Sequence, residues 1–445
     1  MASLTYVQLL SGNRSFRRLW LGQVVSELGN WFNFIAGLGL VRTVSGGAPE
    51  VTAALLVSRI APFALFAPIA GALVDRWSRR TVMIVADLVR TVFALGFLLV
   101  ESPKHLWFAY LCSIIMALFT ALFEAAKNAA TPNITGDEGL LAGNALMFSS
   151  RFLLMAIGSA LGGWASDIFG YQSAFIINSL SFLVSAYSVW LIAESEMKQT
   201  ESKKVSGQKR LARVQTDIKE GWKFILSHPL VGTIVLVNIV WATGGGMTNL
   251  ISDQLGSVVF ANGGWLKGER AIAALWTAAG LGLFIGMLLA HRVATYIELH
   301  KLTVPFIGWT LFAHGIVFGL AGFMPSIWLA CLLYLISRTL LGVEYAVQET
   351  MLMRLVPDNL RGRVGTSDRA AEISVMSLST FIAGYALHVI TPRTLTLVSG
   401  LLASSPGIMW LLLFASRKLT MPQFKEKAEK EKKDDATSEQ ALATS

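Results

Sequence analysis

Residues 71–80 read "GALVDRWSRR" and place Asp75, Arg76, Arg79 and Arg80 within six positions. The chain is oily on both sides, with "LLVSRIAPFALFAPIA" before and "TVMIVADLVRTVFALGFLLV" after. Four charges between two such runs read as a short polar turn joining two membrane-crossing helices, since each run approaches the roughly 20 apolar residues needed to span a bilayer. The pattern extends along the chain. Of its 445 residues 54% are hydrophobic and only 15% charged, with a mean hydropathy of +0.57, whereas a soluble chain carries about 25% charged residues. The sequence is that of an all-α polytopic membrane protein.

Working outward, apolar runs fall at about 17–43, 50–74, 81–100, 104–130, 140–166 and 170–193, then at about 229–258, 266–290, 302–323, 326–353, 364–390 and 394–416. They make twelve spans in two sets of six. Four regions follow: a first six-helix bundle (1–193), a polar linker (194–228), a second bundle (229–417) and a charged tail (418–445) expected to be disordered. In the linker, 214–226 has apolar residues at helical spacing with Trp222 and Phe224, as in a helix lying on a membrane surface. The first apolar run follows Arg17 and Arg18 and is too long for a cleavable leader.

Net charge is +9, and topology accounts for its sign better than nucleic acid does. With an internal start, the outer loops hold five basic residues, Arg42, Lys104, Lys267, Arg270 and Arg393, against more than twenty on the other side. Basic residues collect in cytoplasmic loops, so both termini are expected in the cytoplasm and the chain in the cell membrane. Cys112 and Cys331 lie in apolar runs and suggest neither disulfide nor metal site. There is no Gly-rich Lys-Ser/Thr phosphate loop, and six scattered histidines do not supply the compact cluster of a membrane enzyme. No cofactor is expected.

The halves are alike in layout. "AAKNAATPNITGDEGLLAGNAL" (125–146) aligns on "AVQETMLMRLVPDNLRGRVGTS" (346–367) at an offset of 221, each piece ending one long span and starting the next. Two six-span halves are a known transporter architecture.

"GALVDRWSRR" resembles the loop between spans two and three of the major facilitator superfamily, G-x-x-x-D-R-x-x-R-R, with Ser78 where glycine is usual. "NRSFRRLWLGQVVSELGNWF", "GSALGGWASDIFGYQSAFIINSLSFLVSA" and "VQETMLMRLVPDNLRGRVG" are similar to the branch that holds the enterobactin exporter and macrolide-efflux proteins. The resemblance covers the chain to about residue 417. It implies the major facilitator fold, twelve helices in two pseudo-symmetric six-helix bundles. It also implies a secondary transporter exporting amphipathic small molecules (a drug, siderophore or secreted metabolite), by proton antiport and alternating access, as a monomer. A lipid or lysolipid flippase, or an importer, on the same scaffold is the alternative; a sensor or membrane enzyme ranks below both. The branch's acid in span one is replaced by Asn30, the second copy of the charged loop carries His291 where aspartate would fall, and "GSALGG" keeps Gly158, Gly162 and Gly163 of an antiporter motif with Ser159 in place of proline.

By this resemblance Gly71, Asp75, Arg76, Arg79 and Arg80 form a conformational latch. Asp75 would meet the start of span eleven at 363–367, where a carboxylate near a helix N-terminus gains roughly 0.3–1 kcal/mol. The arginines would pair with Glu124 or with anionic lipid headgroups. Within the spans stand Glu27, Arg59, Asp87, Arg90, Glu124, Lys127, Arg151, Arg338, Glu344, Glu349 and Glu372. A charge at mid-bilayer costs about 2.5–3.5 kcal/mol on insertion scales, so these should face a cavity or one another. Glu27, Glu372 and Glu344 are the proton-coupling candidates, with Arg59, Arg90, Arg151 and Arg338 as charge partners. Arg151 and Glu372 are equivalent at the 221 offset. One proton moved through 100 mV yields about 2.3 kcal/mol, enough for a substrate gradient of roughly fortyfold. Trp31, Phe32, Trp241, Asn249 and Trp276 are candidates for an apolar substrate wall, against a plain packing role. "WATGGGMTN" (241–249) breaks span seven, either to line a site or to allow close packing.

Overall fold

The computed structural model describes residues 4–74, 77–197, 207–261, 266, 268–416 and 419, with the side chains of 207–215 left aside. All described secondary structure is helical. After a capped turn of helix, α1 (Tyr6–Gly12), the first bundle comprises α2 (Arg14–Ser45), α3 (Pro49–Val74), α4 (Arg79–Gly96) and α5 (Leu106–Trp190). Two short connecting helices follow, α6 (Glu194–Met197) and α7 (Gly207–Ser227). The second bundle comprises α8 (Pro229–Gly245), α9 (Thr248–Gln254), α10 (Glu269–Leu299), α11 (Thr303–Ala321), α12 (Ile327–Leu355), α13 (Asp358–Ala386) and α14 (Pro392–Ala415).

Nine of the described helices are long and apolar enough to cross a membrane. One of them contains α5, which runs for 85 residues, is broken at Gly136 (φ 64°, ψ 175°) and Gly170 (φ 77°, ψ 166°) and so supplies spans four, five and six. Both joints need a left-handed backbone that side chains with a Cβ rarely adopt, so one glycine replaces a loop. Span eleven, α13, is not among the nine because Asp358, Arg361, Arg363, Asp368, Arg369 and Glu372 crowd its first half. With these three adjustments there are twelve spans.

Local chemistry sets the helix ends. Asn13 caps α2 by accepting from the Phe16 amide at 2.8 Å, and its Nδ2 donates to the Ile134 carbonyl at 2.6 Å, tying spans one and four. Gly46 closes the far end of α2 in the left-handed region. Pro357 ends α12 and opens α13, and Thr391 with Pro392 begins α14.

The apolar core forks. At one end a single cluster joins the bundles, running from Ile35, Leu55 and Phe175 to Leu250, Ile272, Trp276 and Tyr334. At the other end, where α2 begins and α14 finishes, the core divides. One branch (Phe16, Phe123, Val189) lies in the first bundle and the other (Ile225, Ile307, Leu352, Trp410) in the second. The bundles touch along α3 with α13 and along the middle limb of α5 with α10. Large apolar side chains on the outside, including Val92, Leu180, Leu288, Trp309 and Leu412, match the multi-span membrane character of the chain.

Candidate transport cavity

A cavity of about 1020 Å³ occupies the fork between the bundles. Glu27, Trp31 and Phe34 of span one, Arg59 of span two and Arg151 of span five line its first-bundle side. Asn238 and Trp241 of span seven, Glu344 and Gln348 of span ten, and Asp368, Arg369 and Glu372 of span eleven line the other. It reaches Arg361 and Gly362, both exposed, at the end carrying the termini, and so opens there.

The opposite end is shut in two layers. Trp31 and Phe34 meet Trp276 of span eight edge-on or tilted, with ring centroids 4.9–5.5 Å apart, and this plug crosses between the bundles. Beyond it lies a clasp of charges. Arg42 of span one holds Asp253 and Glu269 of the second bundle, each at 2.6 Å. Tyr171 donates to the same Glu269 at 2.9 Å, and Arg270 pairs with Asp167 at 2.5 Å. Further round the rim Glu50 of span two meets His388 at the end of span eleven at 2.9 Å. Asp253 is fully buried, so these contacts need the bundles together at this end.

Arg151 and Glu372, equivalent by sequence offset, stand on opposite walls of one cavity. Arg59 donates to Asn33 Oδ1 at 2.8 Å and lies 5.3 Å from the Phe34 ring. Glu372 is held by Arg369 at 3.0 Å, and Arg369 also donates to the Tyr345 hydroxyl at 2.8 Å. Asp368, Arg369, Gln348 and Asn238 were not singled out from sequence, although Asp368, Arg369 and Glu372 share one face at helical spacing.

Other expectations are corrected. Arg90 does not reach the cavity: it pairs with Asp87 inside the first bundle, between the rings of Phe123 and Phe182 at 4.6 and 4.4 Å. Arg338 is buried behind the wall, 5.4 Å from the Phe318 ring. Phe32, Asn249 and Trp276 are absent from the lining; Trp276 belongs to the plug. Glu124 pairs with Lys127 at 2.5 Å rather than with Arg79 or Arg80. Arg79 and Arg80 hold the chain instead: Arg79 donates to the carbonyls of Ala129 and Met197, and Arg80 to that of Trp190. Trp190 and Met197 are the last residues of α5 and α6, and a carbonyl at a helix end is an orphan acceptor that a guanidinium satisfies well.

Asp75 and Arg76 lie outside the described residues. A Cβ on Gly71 would meet nothing within 4 Å, and the start of span eleven is engaged elsewhere, with Arg363 on Asp217 (2.9 Å) and Glu220 of α7. Motif glycines serve packing: a Cβ on Gly158 would strike Trp31 at 2.7 Å, on Gly162 the Phe32 backbone at 3.0 Å, and on Gly163 the Glu269 carbonyl oxygen at 3.0 Å. The break in span seven is likewise a packing device, since a Cβ on Gly246 would lie 2.7 Å from the Met376 Cα. His314 links Trp241 (3.3 Å) to Ser337 (2.7 Å) within the second bundle. No group of three or more metal-ligating side chains occurs among the described residues.

Two six-helix bundles around a cavity open at one end define a membrane transporter. The profile of the Major Facilitator Superfamily matches residues 19–367, and the chain belongs to that family. Among its relatives, the MFS-type transporter YfiS of Bacillus subtilis is 24% identical over 417 residues, covering 91% of this chain and 94% of that one. The enterobactin exporter EntS of Escherichia coli is 24% identical over 382 residues, covering 84% and 83%. Macrolide efflux protein A of Streptococcus pyogenes is 25% identical over 181 residues, covering 40% and 44%. The same fold occurs in a bacterial homologue of the iron transporter ferroportin in its inward-facing state, at TM-score 0.66 and 16% identity, covering 89% of this chain and 98% of that one.

Proposed function

We propose that this transporter exports amphipathic small molecules across the cell membrane by alternating access, in exchange for protons. The observation that carries the reading is the one-sided cavity, apolar around Trp31, Phe34, Phe63 and Trp241 yet carrying Glu27, Glu344, Glu349, Asp368 and Glu372. Acids facing a water-filled cavity inside a membrane are the usual sites of ion coupling. Relatives named for export of enterobactin and efflux of macrolides favour the outward direction. With the basic end in the cytoplasm, as the distribution of Lys and Arg argues, the cavity faces inward and the rim clasp closes the outer side.

In this scheme substrate enters from the cytoplasm or inner leaflet, the clasp and plug part, and the hairpin at 71–80 closes underneath against span eleven. Glu27 and Glu372 are the proton carriers, with Arg369 paired to Glu372 and Arg151 on the wall that bears Glu27. Everted vesicles under an imposed pH gradient test the scheme. Substrate accumulation should require the gradient and fall severalfold or more in Glu27→Gln or Glu372→Gln; gradient-driven transport unchanged in both variants overturns the assignment of carriers. No accumulation of any amphiphile overturns the export reading.

A further inference from the structure

The second-bundle wall of the cavity holds three polar atoms with no hydrogen-bond partner among the described residues. Glu344 is 2% exposed and its Oε1 accepts nothing. Gln348 lies one turn further along span ten and leaves Nε2 unused, although Glu344 is within helical reach. Asp368 spends Oδ2 on the Asn238 amide at 3.0 Å and leaves Oδ1 unpartnered. All three residues line the cavity.

The cations nearby on this wall are already committed. Arg369 is taken by Glu372 and Tyr345, and Arg361 by Asp358 at 2.6 Å. A carboxylate withdrawn from water without a counter-charge is unfavourable unless a partner arrives. Across the cavity the charge reverses, since Arg59 and Arg151 outnumber Glu27 on the first-bundle side. Counted by formal charge, the negative side of the cavity therefore lies at spans ten and eleven. Trp241 stands one turn from Asn238 on span seven and lines the same wall, so an aromatic face accompanies the acids.

Resting on the reading of the chain as an exporter, we propose that this wall is the head-group subsite of the substrate and that it takes a bulky organic cation. The charged centre sits at Glu344 and Asp368, and the apolar body lies against Trp241, Trp31 and Phe34. Arg59 and Arg151 keep the cationic centre off the opposite wall.

Tetraphenylphosphonium and tetraphenylborate have nearly the same size and apolar surface and opposite charge, so together they isolate the sign of the head group. Equilibrium dialysis of the purified full chain in neutral detergent micelles should give phosphonium binding at least about tenfold tighter than borate binding. Glu344→Gln and Asp368→Asn, both isosteric, should each weaken phosphonium by about thirtyfold or more, as expected when one side of a desolvated charge pair is removed, and should leave borate no weaker. Thermal unfolding of each variant identifies one that has lost its fold, and the second acid then carries the test. Borate preferred over phosphonium, the two ions bound equally, or phosphonium binding unmoved in both variants overturns the proposal. Borate binding lost in Arg151→Gln would assign the head group to the first-bundle wall and an anionic substrate. Dialysis uses no gradient, so cation binding that behaves as expected beside everted vesicles that accumulate no phosphonium refutes export and leaves the subsite standing.

Discussion

Replacing Arg42 with glutamine removes the cation that Asp253 and Glu269 share across the bundles. Asp253 is fully buried, and after the change the side-chain hydrogen bond left to its carboxylate among the described residues is the one it accepts from Gln254 Nε2 at 3.2 Å. Breaking a buried ion pair by removing one partner costs about 3–5 kcal/mol, because the other charge is stranded. That cost applies only while the outer end is shut; once the bundles part there, water reaches both acids. At 1.4 kcal/mol per decade the ratio of closed to open outer ends should fall by roughly a hundredfold to a few thousandfold. Two cysteine reporters read it in opposite directions. Thr277 sits on the seam, donating to the Ala156 carbonyl at 3.2 Å, and Thr277→Cys should become labelled from outside. Gly365 lines the cavity near its mouth with nothing within 4 Å of a Cβ, and Gly365→Cys should become protected. Adding Asp253→Asn to Arg42→Gln removes the stranded charge and should restore much of the original pattern. Labelling unchanged at both positions refutes the clasp; labelling raised at both means the fold has loosened rather than tipped.

Three further outcomes follow from the packing. Gly280→Leu drives a side chain into Ala156, whose backbone nitrogen lies 2.7 Å from the would-be Cβ; overpacking of about 1–3 kcal/mol should wedge the outer seam apart, read by the same Thr277→Cys label. Asp87→Ala strands Arg90 between Phe123 and Phe182 and should lower stability by about 3–5 kcal/mol, measured as a fall in the melting temperature of the purified protein. Gly71→Leu meets open space in this state and should leave the melting temperature unchanged, yet abolish transport by blocking closure at the hairpin; full transport in that variant would refute the latch.

The spans were legible because hydropathy is a local property and bilayer thickness fixes its length scale. The two breaks in α5 were legible as "ITGDEG" and "IFGYQ", though not their economy, one left-handed glycine each. Arg151 and Glu372 could be placed together because duplication converts an offset in sequence into a symmetry in space. The rim clasp could not be read that way. Arg42 meets partners 211 and 227 residues distant, and in sequence both Arg42 and Arg270 were simply charges at loop edges. Arg90 misled for a related reason: its partner, Asp87, lies three residues away on the same helix, so the pair satisfies itself and has no need of the cavity. Asp368 and Arg369 fall within the first turns of span eleven as the hydropathy bounds it, 364–390, and were passed over beside Glu372 although Asp368 and Glu372 stand at helical spacing.

The single-residue joints at Gly136 and Gly170 leave half of the first bundle without slack, so in the proposed cycle spans four to six would swing as one casting. Whatever angular play the cycle demands is then concentrated in the strap between the bundles. There α7 packs against α3 on one side and α13 on the other, with Arg363 buttoned to Asp217 and Glu220. In the proposed cycle a strap fastened to both bundles would govern how far they travel.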